Sequence, residues 1–171
     1  MTERCVLTRL LEACYREAVA CYSQAHLVEL YSTNGRLRIY AQPLLPGEQV
    51  VPRQINIVPL PPVWTPGVGG VSELGKEIEF TFHFPVQSVV LVPGETTFLD
   101  EVDELAKWLR AGGTSPNKNG RLADPDNPGK YLNEAIRRIE WDTPQPGPRN
   151  ASVVVPVIVT FVDLKESRSS T

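Results

Sequence analysis

The stretch KEIEFTFHFPV, residues 76–86, decides the fold. Ile78, Phe80, Phe82 and Phe84 fall on alternate positions, and Glu77, Glu79, Thr81 and His83 fall between them. Successive side chains of a strand point to opposite faces, so this period-two pattern predicts a strand with one apolar and one polar face. The apolar face demands cover. The polar face is open to three uses: contact with water, a site, or a surface for another molecule.

Working outward, Leu7, Leu10, Leu11, Cys14, Ala18 and Cys21 recur at helical spacing, with charges between them. This predicts an amphipathic helix over 3–21 with its charges on the far side. LVELYS and RLRIYA flank Asn34-Gly35, a pair suited to the positive φ of a tight hairpin turn. QINIV reads as a strand with Ile55 and Ile57 on one face, and residues 59–75 as a long irregular excursion. Thr97 followed by Asp100 has the spacing of a capping box and starts a helix lined by Leu99, Val102, Leu105, Ala106 and Leu109, which Gly112-Gly113 end. Residues 112–129 hold almost nothing that could be buried, KYLNEAIRRI reads as a second short helix, and ASVVVPVIVTFVDL as a long apolar strand. Pro156 within that strand predicts a bulge or a sheet-edge position, because proline donates no ladder hydrogen bond. The order of elements gives an α+β fold: a mostly antiparallel sheet with the N-terminal helix and a second helix packed on one face. It forms one domain over 1–171, with long loops at 59–75 and 112–129 and a polar tail at 165–171.

The 171 residues suffice for a sizeable core, and 42% hydrophobic with 22% charged residues is ordinary for a globular chain. The net charge of −3 gives no basic field for nucleic acid. Sixteen prolines and twelve glycines signal many turns. Charges throughout the first twenty residues argue against a signal peptide, and no apolar run reaches the ~18 residues of a membrane span, so a reducing cytoplasm is the expected place of synthesis. Cys5, Cys14 and Cys21 all lie in the first helix and read as small buried apolar residues; Cys14 and Cys21 stand ~10.5 Å apart along its axis, too far for a disulfide.

The search for chemistry yields no catalytic, metal or cofactor site. Glu79 and His83 lie ~13 Å apart along a strand and cannot share an ion. His26 reads as a capping or surface residue. The sequence contains no G-x-S-x-G, and GVGGVSELG leads into a strand where a dinucleotide loop requires a helix. DPDNPG places Pro128 and Ala135 at calcium-ligand positions and reads as a turn. Asp100, Glu101, Asp103 and Glu104 lie in the first turns of a helix, where its dipole accommodates them without a catalytic role.

The succession of an N-terminal amphipathic helix, a hairpin, IEFTFHFPV, LDEVDELAKWL, IRRIEWD and VVPVIVTFVDL resembles the tail terminator proteins of long-tailed bacteriophages. The resemblance covers most of the chain and lies in element order and texture. It implies a structural virion protein without enzymatic activity or cofactor. Such a protein forms a homo-hexameric ring that caps the tail tube protein and joins it to the head–tail connector or stopper protein. It implies a place in the tail or neck of the virion, assembly in the host cytoplasm, DNA only as it passes through the lumen, and no membrane. Glu77, Glu79, His83, Asn117, Lys118, Arg121, Asp124, Asp126 and Lys165 become candidates for the lumen or the contacts between subunits. Two other readings stay open: an adaptor that binds another protein through its sheet edges, and a small-ligand binder or enzyme with a pocket under VWTPGVGG walled by Trp64.

Overall fold

The Phe strand is the longest element of the sheet. In the computed structural model, which describes residues 4–24, 37–47, 53–61, 63–66, 72–111, 120–133, 135–147 and 152–162, helix α1 (Val6–Gln24) is followed by strands β1 (Arg38–Tyr40), β2 (Gln54–Pro59), β3 (Val63–Pro66) and β4 (Ser72–Pro85). A 3-10 turn (Val86–Val89) and helix α2 (Phe98–Arg110) come next, then β5 (Ala135–Trp141), β6 (Gln145–Pro146) and β7 (Ser152–Val162). The sheet runs β1-β2-β4-β7-β5, with β3 beside β4 and β6 beside β7. Among the described strands only the β1–β2 pairing is parallel. The architecture is the α+β fold expected.

Ile78, Phe80, Phe82 and Phe84 are fully buried on the helix side of β4. Ile55 and Ile57 of β2 stand opposite Phe82 and Phe80, and Val153, Val155, Val157 and Val159 of β7 stand opposite Phe84, Phe82, Phe80 and Ile78. Leu10, Leu105 and Leu109 join them in one core, with Leu11 at its margin. Phe84 stacks on Phe82 and packs against Phe98, both with ring centroids 5.6 Å away. Helix α2 begins as its spacing predicts: Thr97 Oγ1 accepts from Leu99 N (3.3 Å), and Thr97 N donates to Asp100 Oδ2 (2.7 Å). Leu99 itself is half exposed, and Phe98 takes the inward position instead.

Several expectations are corrected by long-range partners. KYLNEAIRRI is not a helix: its second half is β5, paired antiparallel with β7. The helical look came from Ile136 and Ile139, three residues apart. The register shifts between Ile136 and Arg138, so one extra residue lets both isoleucines oppose Phe161 and Val159 on the helix side. Pro156 lies in the interior of the sheet rather than at an edge. Its carbonyl accepts from Asp142 N (2.8 Å), which turns its nitrogen toward the seam between β5 and β6, where no ladder donor is needed. The 59–75 excursion contains a β-hairpin arm, since β3 pairs with the start of β4.

Residues 120–133 are also more than a polar loop. Leu122 and Leu132 are buried, and Asn133 ties the turn by accepting from Leu122 N (2.8 Å) and donating to Gly120 O (2.9 Å). Arg9 and Glu17 fall on the buried stripe of α1, not on its far side. Arg9 pairs with Asp124 at 2.7 Å, both side chains 6% exposed or less, and Glu17 accepts from Trp108 Nε1 at 2.9 Å. Cys14 and Cys21 are buried as expected, with burial pushing the Cys21 thiol up to about 12, whereas Cys5 is exposed. The partner strand LVELYS, the Gly112-Gly113 stop, loop residues 112–119 and tail 165–171 lie outside the described residues.

Two substitutions test this packing. Phe82→Ala should lower the free energy of unfolding by ~3–5 kcal/mol through lost transfer and cavity terms, measured by denaturant titration. Asp124→Ala should cost about 3 kcal/mol by removing the acidic partner of a buried guanidinium. If Asp124→Ala were neutral, the 120–133 turn would not be docked on α1.

Candidate functional site

Both described helices lie on the Phe side of the sheet, so among the described residues no α-helix covers the opposite face. Three rows cross it, read from β2 through β4 to β7: Gln54, His83 and Val154; Asn56, Thr81 and Pro156; Val58, Glu79 and Ile158. The segment after β1 approaches this face, and Gln42 O accepts from Asn56 Nδ2 at 3.1 Å. Pro43 and Leu44 thereby line one side of a half-open cavity of about 290 Å³, whose other lining residues are Asn56, Val58, Glu79, Thr81, His83 and Val154.

Much of the cavity's polar lining is committed to the fold. Asn56 Oδ1 accepts from Gln54 Nε2 (2.8 Å), and Thr81 Oγ1 donates to Glu79 Oε1 (3.0 Å). His83 differs. It is 2% exposed, and neither ring nitrogen has a hydrogen-bond partner among the described residues. Burial lowers its pKa below the ordinary 6.5, so the ring is neutral near neutrality, with one N–H donor and one acceptor nitrogen.

The residues singled out from the sequence do not gather into one place. Glu77, Glu79 and His83 share the outer face, but His83 is buried and presents no surface to a lumen. Glu77 accepts from Thr160 Oγ1 at 3.3 Å across the strands. Asp124 is buried against Arg9 and is no surface residue. Asp126 is exposed and bound by Arg4, whose hydrogen bonds hold its carboxyl below the usual carboxylate range. Arg121 is exposed, with its guanidinium 5.9 Å from the Tyr131 ring centroid. Asn117, Lys118, Lys165 and His26 lie outside the described residues, as do the Trp64 side chain and the loop 67–70 that were to form a pocket. The cavity residue Asn56 was legible as a polar position of QINIV. No local signal brought Pro43 and Leu44 over them.

A second feature is an apolar run at the end of β4. Val86, Val89, Val90, Leu91 and Val92 are all exposed, Leu91 at 74% and Val90 at 60%, and Leu99 in the first turn of α2 is exposed as well. Among the described residues no group of His, Cys, Asp or Glu is placed to hold a metal ion, and no helix is long and apolar enough to cross a membrane. No protein-family model matches the chain, and no curated protein is significantly similar to it in sequence.

The buried imidazole makes stability depend on pH. With the folded pKa below the unfolded one, the unfolded chain takes up the proton first as pH falls. Stability is therefore lost as pH drops through 6.5, and the loss levels off below the folded pKa. Comparing denaturation midpoints at about pH 7.5 and about pH 5.5, the fall should be larger for the wild type than for His83→Gln, which cannot titrate there.

Proposed function

We propose that this chain is a tail-terminator-type structural subunit of a long-tailed bacteriophage, acting without catalysis. Copies of it form a ring, hexameric by the family's pattern, that caps the tail tube and meets the head–tail connector, with DNA passing through the centre. The element order of the fold, helix, strands, helix, strands, supports this reading. The observation that carries it is the exposed apolar run 86–92 with Leu99. Monomeric proteins in water seldom leave so contiguous an apolar surface uncovered, and such runs mark contacts between proteins.

The partner favoured for that run is another copy of the chain. β5 pairs only with β7 among the described strands, so its outer edge offers ladder hydrogen bonds, and Trp141 at its end is 39% exposed. This second surface differs in place and chemistry from the apolar run. A contact between unlike patches is head-to-tail, and repeated with a closing rotation it generates a ring. Glu77 and Glu79 on the outer face would suit a DNA passage, because negative side chains do not adhere to phosphates.

Size-exclusion chromatography with light scattering, with and without purified tail tubes, tests the reading. The wild type should appear as a multiple of the 19.0 kDa chain or bound to tubes. A Val90→Asp, Leu91→Asp double variant should keep its circular dichroism spectrum but remain monomeric and unbound, since both side chains lie in solvent in the isolated chain. A wild type that stays monomeric under both conditions defeats the proposal.

A further inference from the structure

We infer that copies of the chain join by strand addition: Leu91 of one copy pairs its backbone, antiparallel, with Trp141 on the outer edge of β5 in the next. The inference rests on the ring reading for its partner and adds the chemistry of the contact.

The backbone hydrogen bonds carry it. Asp142 N donates to Pro156 O at 2.8 Å, and these two residues stand beside the Trp141–Val157 pair. Antiparallel ladders alternate between bonded and unbonded pairs, so Glu140 and Arg138 also turn their backbone groups to β7. Ile139 and Trp141 turn theirs the other way, where no described residue bonds them. On the apolar run the open groups belong to Leu91. Val90 N donates to Gln87 O at 3.3 Å, and Val92 O accepts from Glu95 N at 3.0 Å, whereas the N–H and C=O of Leu91 bond no described residue. The two halves of a bonded antiparallel pair are thus present on one chain, and within it they do not meet, since Leu91 is 74% exposed. An open strand edge is a template for a segment of another chain.

Side chains select the direction of pairing. Opposite Trp141 in an antiparallel pair, Leu91 comes to lie on the helix side of the sheet, beside the exposed part of Trp141 and the half-buried Ile139. A parallel strand would be bonded between Ile139 and Trp141 and would set Leu91 beside Glu140 on the outer face. Burial of the leucine against Ile139 and Trp141 favours the antiparallel pair. Charge agrees with it. From Val86 to Ala106 the chain carries Glu95, Asp100, Glu101, Asp103 and Glu104 and no lysine or arginine, while β5 exposes Arg137 and Arg138.

Two experiments on the full chain, in the condition under which the wild type assembles, test the pairing. Leu91→Pro removes the N–H and keeps an apolar side chain, and Val90 before it already has the extended backbone (φ −81°, ψ 123°) that suits a following proline. This variant should keep the wild-type circular dichroism spectrum. Its concentration at half-assembly should rise at least about tenfold, because one bond is lost and a carbonyl is left unpaired. Leu91→Ile, which keeps the N–H, should assemble as the wild type does. Cysteine pairs supply a test that does not depend on the proline variant folding. Cα atoms of a bonded antiparallel pair lie ~5.5 Å apart, within disulfide range. Cys5→Ser removes the exposed thiol, and Cys14 and Cys21 are buried. In that background, Leu91→Cys mixed with Trp141→Cys under oxidised glutathione should give a disulfide-linked heterodimer by mass spectrometry. Leu91→Cys mixed with Arg110→Cys, exposed at the end of α2, should not. A folded Leu91→Pro that assembles as well as Leu91→Ile overturns the inference and leaves the ring reading standing, as do equal yields from the two cysteine mixtures. A wild type that stays monomeric with and without tail tubes overturns both.

Discussion

The burial of Ile78, Phe80, Phe82 and Phe84 under α1 and α2 is the constraint on which the other features depend. β4 is flanked by β2 and β7, so the choice of its inner face fixes theirs: Ile55 and Ile57 on one side, Val153, Val155, Val157 and Val159 on the other. A slip of one residue in either pairing would send a whole row of branched side chains to the outer face. The same commitment sends Glu77, Glu79, Thr81 and His83 outward as a set. The outer face is thus a consequence of the core, and its cavity forms only because the chain after β1 turns back over it.

What was legible in the sequence was local. The period-two Phe strand, the amphipathic first helix and the Thr97–Asp100 cap depend on neighbours within a few residues, and all three are present. What was not legible depends on partners far along the chain. Ile136 and Ile139 have helical spacing, but β7 takes them as a strand and a bulge absorbs the odd residue. Arg9 and Glu17 look like solvent-facing charges on α1 until Asp124 and Trp108 reach them across 115 and 91 residues. Leu122 sits among turn-forming residues whose composition hides that the turn is anchored by Asn133. In the site, Glu79, Thr81 and His83 could be placed on one face from alternation alone. That His83 is buried could not, since the covering residues Pro43 and Leu44 lie in a segment whose course no periodicity specifies.

The buried polar side chains divide on this point. Arg9, Glu17, Gln54, Asn56 and Asn133 each bond a protein partner, and through those bonds they dock the 120–133 turn, join the two helices or position the segment after β1. Their burial is explained by the fold. His83 is buried as deeply, yet its ring nitrogens bond none of the described residues, and protonation at low pH would set a charge where burial opposes it. A leucine there would pack against the same neighbours without that cost. Places where a sequence departs from its own local rules, with no compensating contact inside the fold, are where function is to be sought. The exposed run 86–92 departs from the same rules in the opposite direction, leaving apolar groups in water where β4 leaves the sheet. The first sets a buried polar ring where a leucine would serve, and the second sets apolar groups in water. Both departures follow from the single strand that organises the core, since β4 sets His83 on its outer face and carries the chain into the run 86–92.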